Sequence, residues 1–141
     1  MNGFGEQHKP KKQIKNSNFS KEKLMNQAFK FHLEGKILEA TKCYQHFINQ
    51  GFEDHRLFYN YGVLLTGLLR LQEAESSYRK AISINPGFVQ AYYNLGLIYE
   101  KLEETEVAKK NYKKSVKLDP SFFHSYNNLG ILFQKQGEKE Q

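Results

Sequence analysis

The chain has 141 residues, a single cysteine (Cys43), abundant Tyr and Phe, and no Trp. That length holds one core's worth of chain, and one cysteine excludes both a disulfide framework and a cysteine-built metal site within a monomer, which fits a reducing, cytoplasmic setting. The formal charge is +6, yet all but Arg56, Arg70 and Arg79 of the 21 basic residues are Lys, so the Arg-based bidentate reading of phosphates and bases that marks nucleic-acid binders is weakly represented.

Residues 1–20 carry Lys9, Lys11, Lys12 and Lys15 against Glu6, together with Gly, Asn, Ser and Pro. They show no helical period and read as a flexible basic tail. No apolar stretch follows these lysines, so no secretory signal is visible. The longest apolar run, 61–69, is too short to cross a bilayer, and no membrane partner is expected.

From Lys21 onward the sequence repeats itself. LMNQAFKF (24–31), FYNYGVLL (58–65), YYNLGLIY (92–99) and YNNLGILF (126–133) are echoes of one pattern. Gly62, Gly96 and Gly130 keep one step of 34 residues, with Ala28 a step earlier. Ala40, Ala74 and Ala108 keep it too, as do Tyr44, Tyr78 and Tyr112. The units are 21–54, 55–88 and 89–122, followed by a half unit at 123–137 and a polar end at 138–141. Inside a unit, apolar residues recur at three- and four-residue steps (Phe58, Tyr61, Leu65, then Leu71, Ala74, Tyr78), the stripes of two consecutive amphipathic helices. Asn85-Pro86 and Asp119-Pro120 stop the second helix of their units, and Ser121 offers an N-cap for the helix after it. The first unit departs from the rest, with Leu24, Ala28, Phe47 and Phe52 where an aromatic, Gly, a small residue and Pro would stand. Terminal units of arrays are often atypical.

A step of 34 with aromatic, Leu-Gly, aromatic, Ala, aromatic and Pro in that order resembles the tetratricopeptide repeat. The resemblance implies an all-α right-handed superhelix of stacked antiparallel helix pairs, with first helices lining its concave inside, where peptides bind. It extends to the N-terminal repeat arrays of bacterial multidomain proteins.

On a helical wheel, positions 4, 7, 8 and 11 of each first helix face the partner helix, leaving positions 6 and 9 on the opposite side and position 5 at the flank. Position 9 is Phe29, Val63, Leu97 and Ile131; position 5 is Met25, Tyr59, Tyr93 and Asn127. Position 6 is an unbroken column, Asn26, Asn60, Asn94 and Asn128. An apolar floor flanked by amides suits an extended peptide, because each Asn can donate to and accept from main chain. The same amides could instead bond a neighbouring repeat. These twelve residues are the candidate groove. Adaptors of the resembled family that hold a chaperone's C-terminal carboxylate use Lys, Arg and Asn. Here only Asn60 matches, while Met25, Phe29, Gln90 and Asn94 stand where the other residues would be, which argues against that ligand.

Nothing in the chain spells a catalyst, and no cofactor is expected. His8, His32, His46, His55 and His124 form no metal-ligand spacing, and no Gly-rich phosphate loop is present. The reading is a non-catalytic protein- or peptide-binding module. One alternative is a substrate-recruiting arm of a larger bacterial transferase whose catalytic domain lies outside this chain. A weaker alternative is electrostatic nucleic-acid binding through the Lys tail and the basic run at 109–117. The half unit keeps Tyr126, Leu129, Leu132 and Phe133 where a terminal cap should be polar, so the chain is expected either to be part of a longer protein or to self-associate through that end.

Overall fold

The computed structural model describes residues 11–139, and every regular element among them is an α-helix. The chain divides into two compact units, Met1–Phe52 and Glu53–Gln141.

In the first unit, α1 (Lys11–Leu33) and α2 (Ile37–Asn49) form a hairpin. The helix begins ten residues before the expected start of the repeat, which corrects the flexible tail for residues 11–20. Beyond Pro10 that stretch holds neither Gly nor Pro, and its Lys and Gln are adequate helix formers that extend a helix already nucleated downstream. The first ten residues of the expected tail lie outside the described part. At the end of α2, where Phe52 replaces Pro, Gly51 adopts a positive φ of 72°. Its N–H bonds the Ile48 carbonyl at 2.9 Å, and the Phe52 ring turns back onto Phe47 at 5.4 Å between centroids. A glycine C-cap with its hydrophobic contact thus replaces the proline stop.

The second unit contains α3 (His55–Gly67), α4 (Leu71–Ile84), α5 (Val89–Lys101), α6 (Thr105–Leu118) and α7 (Phe123–Lys139). Each helix packs against the next in sequence. Asp54 caps α3 by accepting the Arg56 N–H at 3.0 Å. The stops at Asn85-Pro86 and Asp119-Pro120 are reinforced by side-chain turns, Asn85 Oδ1 accepting from Gly87 N at 3.2 Å and Asp119 Oδ1 from Ser121 N at 2.9 Å. Ser121 therefore belongs to the turn, its hydroxyl also donating to Asp119, and it does not cap α7 as expected. Helix α7 starts at Phe123, the expected first residue of the half unit, and Phe122 before it packs on the Tyr93 ring, 5.4 Å between centroids. It then runs unbroken through Gly137 to Lys139, so the polar end begins inside the helix.

The core of each hairpin is built on one tyrosine. Tyr44, Tyr78 and Tyr112 are fully enclosed. In the second unit the ring needs the space left by a missing side chain on the first helix. A Cβ on Gly62 would lie 2.7 Å from Tyr78 Cε1, and one on Gly96 would lie 2.3 Å from Tyr112 Cε1. Gly130, the third glycine of the series, faces no such ring, and nothing lies within 4 Å of its added Cβ.

Candidate binding face

The tyrosine hydroxyls carry the fold's order to the face singled out in the sequence. Thr66 donates to the Gly62 carbonyl at 2.8 Å, so its oxygen accepts from the Tyr78 hydroxyl at 3.2 Å. The Tyr78 oxygen in turn accepts from Asn94 Nδ2 at 3.2 Å. One helix pair later the Tyr112 hydroxyl donates to Glu100 and accepts from Asn128 Nδ2 at 3.1 Å. Each chain of bonds joins a hairpin to the first helix of the next. Burial pushes the Tyr78 hydroxyl up to about 12, although the bond it accepts from Asn94 pulls the other way. Tyr112 is raised by burial and then by the adjoining Glu100 carboxylate. Both hydroxyls therefore stay protonated near neutrality, and the face offers hydrogen bonds rather than proton transfer.

The asparagine column is uniform in sequence but not in bonding. Asn94 and Asn128 turn to the preceding tyrosine. Asn60 donates instead to the Arg56 carbonyl of its own helix at 2.8 Å. In the first unit Asn26 is exposed. Each amide has two donor hydrogens and a two-lone-pair oxygen, so one bond to a tyrosine leaves capacity on the amide.

Among the flanking residues, Tyr59 and Tyr93 are half-buried and serve as packing partners. Tyr59 lies 4.9 Å from Phe88 and 5.8 Å from Tyr78, centroid to centroid, and Tyr93 lies 5.8 Å from Tyr112. Asn127 is exposed. Met25 corrects the expectation, since only 1% of its surface is exposed and it belongs to the core of its unit. Where Tyr can bury a ring and still lead a hydroxyl outward, Met has no polar tip to do so.

The apolar floor separates by unit. Phe29 is half-buried, its ring 6.4 Å from that of Tyr44. Val63 and Leu97 are half-buried and, with Thr66, Tyr78 and Asn94, line a cleft of about 190 Å³. Ile131 is 48% exposed on α7. The sequence singled out Val63, Leu97 and Asn94 for this cleft but not Thr66 and Tyr78. The missed signal is a polar residue at position 12 of every first helix (His32, Thr66, Glu100), which is the partner each buried tyrosine requires.

Three family models match the chain, described as tetratricopeptide repeat at residues 89–122 and 111–141 and as TPR repeat at residues 70–103. No curated protein matches it. Among solved structures, MamA superposes with a TM-score of 0.80 at 24% identity, over 90% of this chain and 74% of that one. The first TPR of Spaghetti (RPAP3), bound to the HSP90 peptide SRMEEVD, gives 0.76 at 26% identity, over 83% and 93%. A Thermobaculum terrenum O-GlcNAc transferase mutant gives 0.71 at 16% identity, over 82% of this chain and 22% of that one.

Proposed function

The chain belongs to the tetratricopeptide repeat family, and from that premise we propose that it is a non-catalytic module holding an extended peptide on the face that the first helices α3 and α5 present in the second unit. The observation that carries this reading is the cleft of about 190 Å³ where Val63 and Leu97 form an apolar floor beside the Asn94 amide. Floor and amide lie together on the side that the helical pattern leaves free. The similar RPAP3 array holds a peptide, which supports the same use of the fold here. That peptide ends in acidic residues and a carboxylate, whereas Met25, Phe29, Gln90 and Asn94 offer this chain no cation at the corresponding places. The segment recognised here is therefore internal and apolar at the residues that meet Val63 and Leu97, with its main chain bonded by the amides. Each such bond contributes about 0.5–1.5 kcal/mol net, which sets micromolar affinity as the expected range.

A peptide array tests this directly. Leu97→Lys places a charge on the floor of the cleft and leaves the buried tyrosines untouched, so binding to array peptides should vanish while helicity is retained. Array binding that survives Leu97→Lys on a folded protein refutes the groove.

A further inference from the structure

A larger hollow lies elsewhere in the second unit, between α4, α5 and α6. Its volume is about 550 Å³, and no acidic residue lines it. Lys110, Lys113, Lys114 and Lys117 stand along one wall, Val107 and the half-buried ring of Tyr92 give it an apolar part, and Arg79 closes the far side. Among the described residues none of these four lysines has an ion-pair partner, whereas Arg79 is matched by Glu75 at 2.8 Å. Four exposed ammonium groups along one helix, with no acidic residue in the lining, give that wall a positive potential that favours an anion.

We propose that this hollow is a second binding site, separate from the groove, and that its ligand is an extended acidic peptide segment carrying Asp or Glu at alternate residues. The spacing supports it. Lys110 and Lys114, and likewise Lys113 and Lys117, are one helical turn apart, about 6 Å along the axis. Alternate side chains of an extended strand recur about every 6.6 Å on one face. The chemistry disfavours nucleic acid. Tyr92 is the sole aromatic residue in the lining, and the Lys114 ammonium sits over its ring, 5.8 Å from the centroid, so the hollow offers no series of free rings on which bases could stack. The one guanidinium fork is spent on Glu75 and the Tyr99 hydroxyl.

The test is fluorescence anisotropy at low ionic strength with a short labelled peptide alternating Glu and Ser. Lys110→Gln, Lys114→Gln and Lys117→Gln combined should weaken binding about tenfold, since each exposed ion pair contributes only modestly. Lys23→Gln, Lys42→Gln and Lys101→Gln combined remove the same charge from exposed sites elsewhere and should leave binding unchanged. The groove variant Leu97→Lys should also leave it unchanged, so the two sites fail or succeed separately. Equal weakening by both lysine triples would reduce the effect to net charge and overturn the proposal. Tighter binding of single-stranded DNA of matching charge, or undiminished binding of the peptide with Gln for Glu, would overturn it as well.

Discussion

Asn94 gives a hydrogen to the Tyr78 hydroxyl across the boundary between two helix pairs, at 3.2 Å. That bond fixes the register between a hairpin and the next first helix, because the tyrosine is enclosed and its oxygen has one place to meet a donor. If so, Asn94→Ala and Tyr78→Phe should each cost about 0.5–1.5 kcal/mol in urea unfolding, and the double variant less than their sum. Strictly additive losses would mean that the two residues act independently.

The glycines at one position of the repeat should respond in opposite directions. Gly96→Ala drives a methyl group into the Tyr112 ring, 2.3 Å from Cε1 before relaxation, and should destabilise the protein by about 1–3 kcal/mol. Gly130→Ala meets nothing within 4 Å and should stabilise α7 by about 0.5–1 kcal/mol. Thermal unfolding of the two variants reads both signs.

The turns between first and second helices ask for a left-handed residue at the same place in each repeat. Gly35 supplies it with a φ of 70°, but Leu69 and Glu103 are forced into it at 59° and 62°. Leu69 is 73% exposed, so its side chain gives up little packing when removed. Leu69→Gly and Glu103→Gly should each raise stability by about 0.5–1 kcal/mol after the entropy of the added glycine is counted. Chemical denaturation that finds either variant less stable than the parent would contradict this.

His32 couples the first unit to pH. Its Nδ1 lies 2.9 Å from the Tyr44 hydroxyl, and partial burial lowers its pKa from 6.5. A histidine with a lowered folded value favours the neutral native form. Its contribution is fully present above the unfolded value and is lost as pH falls below 6.5 toward the folded value. Denaturation midpoints measured on both sides of that window should fall more for the parent than for His32→Gln. Equal falls would remove His32 from the account.

Helices and their breaks were legible wherever the cause was local. The 34-residue step, the two stripes per unit and the Asn-Pro and Asp-Pro stops each follow from neighbouring residues, and the structure places α3 to α7 accordingly. Departures arose where something other than a residue's own type decides. The Lys-rich stretch after Pro10 has no apolar period, yet α1 starts at Lys11 because an existing helix extends at low cost. Ser121 has the chemistry of a cap but is held in the turn by Asp119. The four asparagines have one identity and different partners, since Asn94 and Asn128 find a tyrosine hydroxyl at the right height while Asn60 bonds its own helix.

Repetition of type and spacing in the sequence was enough to specify hairpins in series, because amphipathic periodicity and proline stops act over one or two turns. Which amides bond a tyrosine, which glycine is obligatory, and where uncompensated lysines surround a hollow were settled by packing between helices. Those outcomes depend on distances of a few tenths of an ångström between residues far apart in sequence, and a pattern of letters carries no such distances.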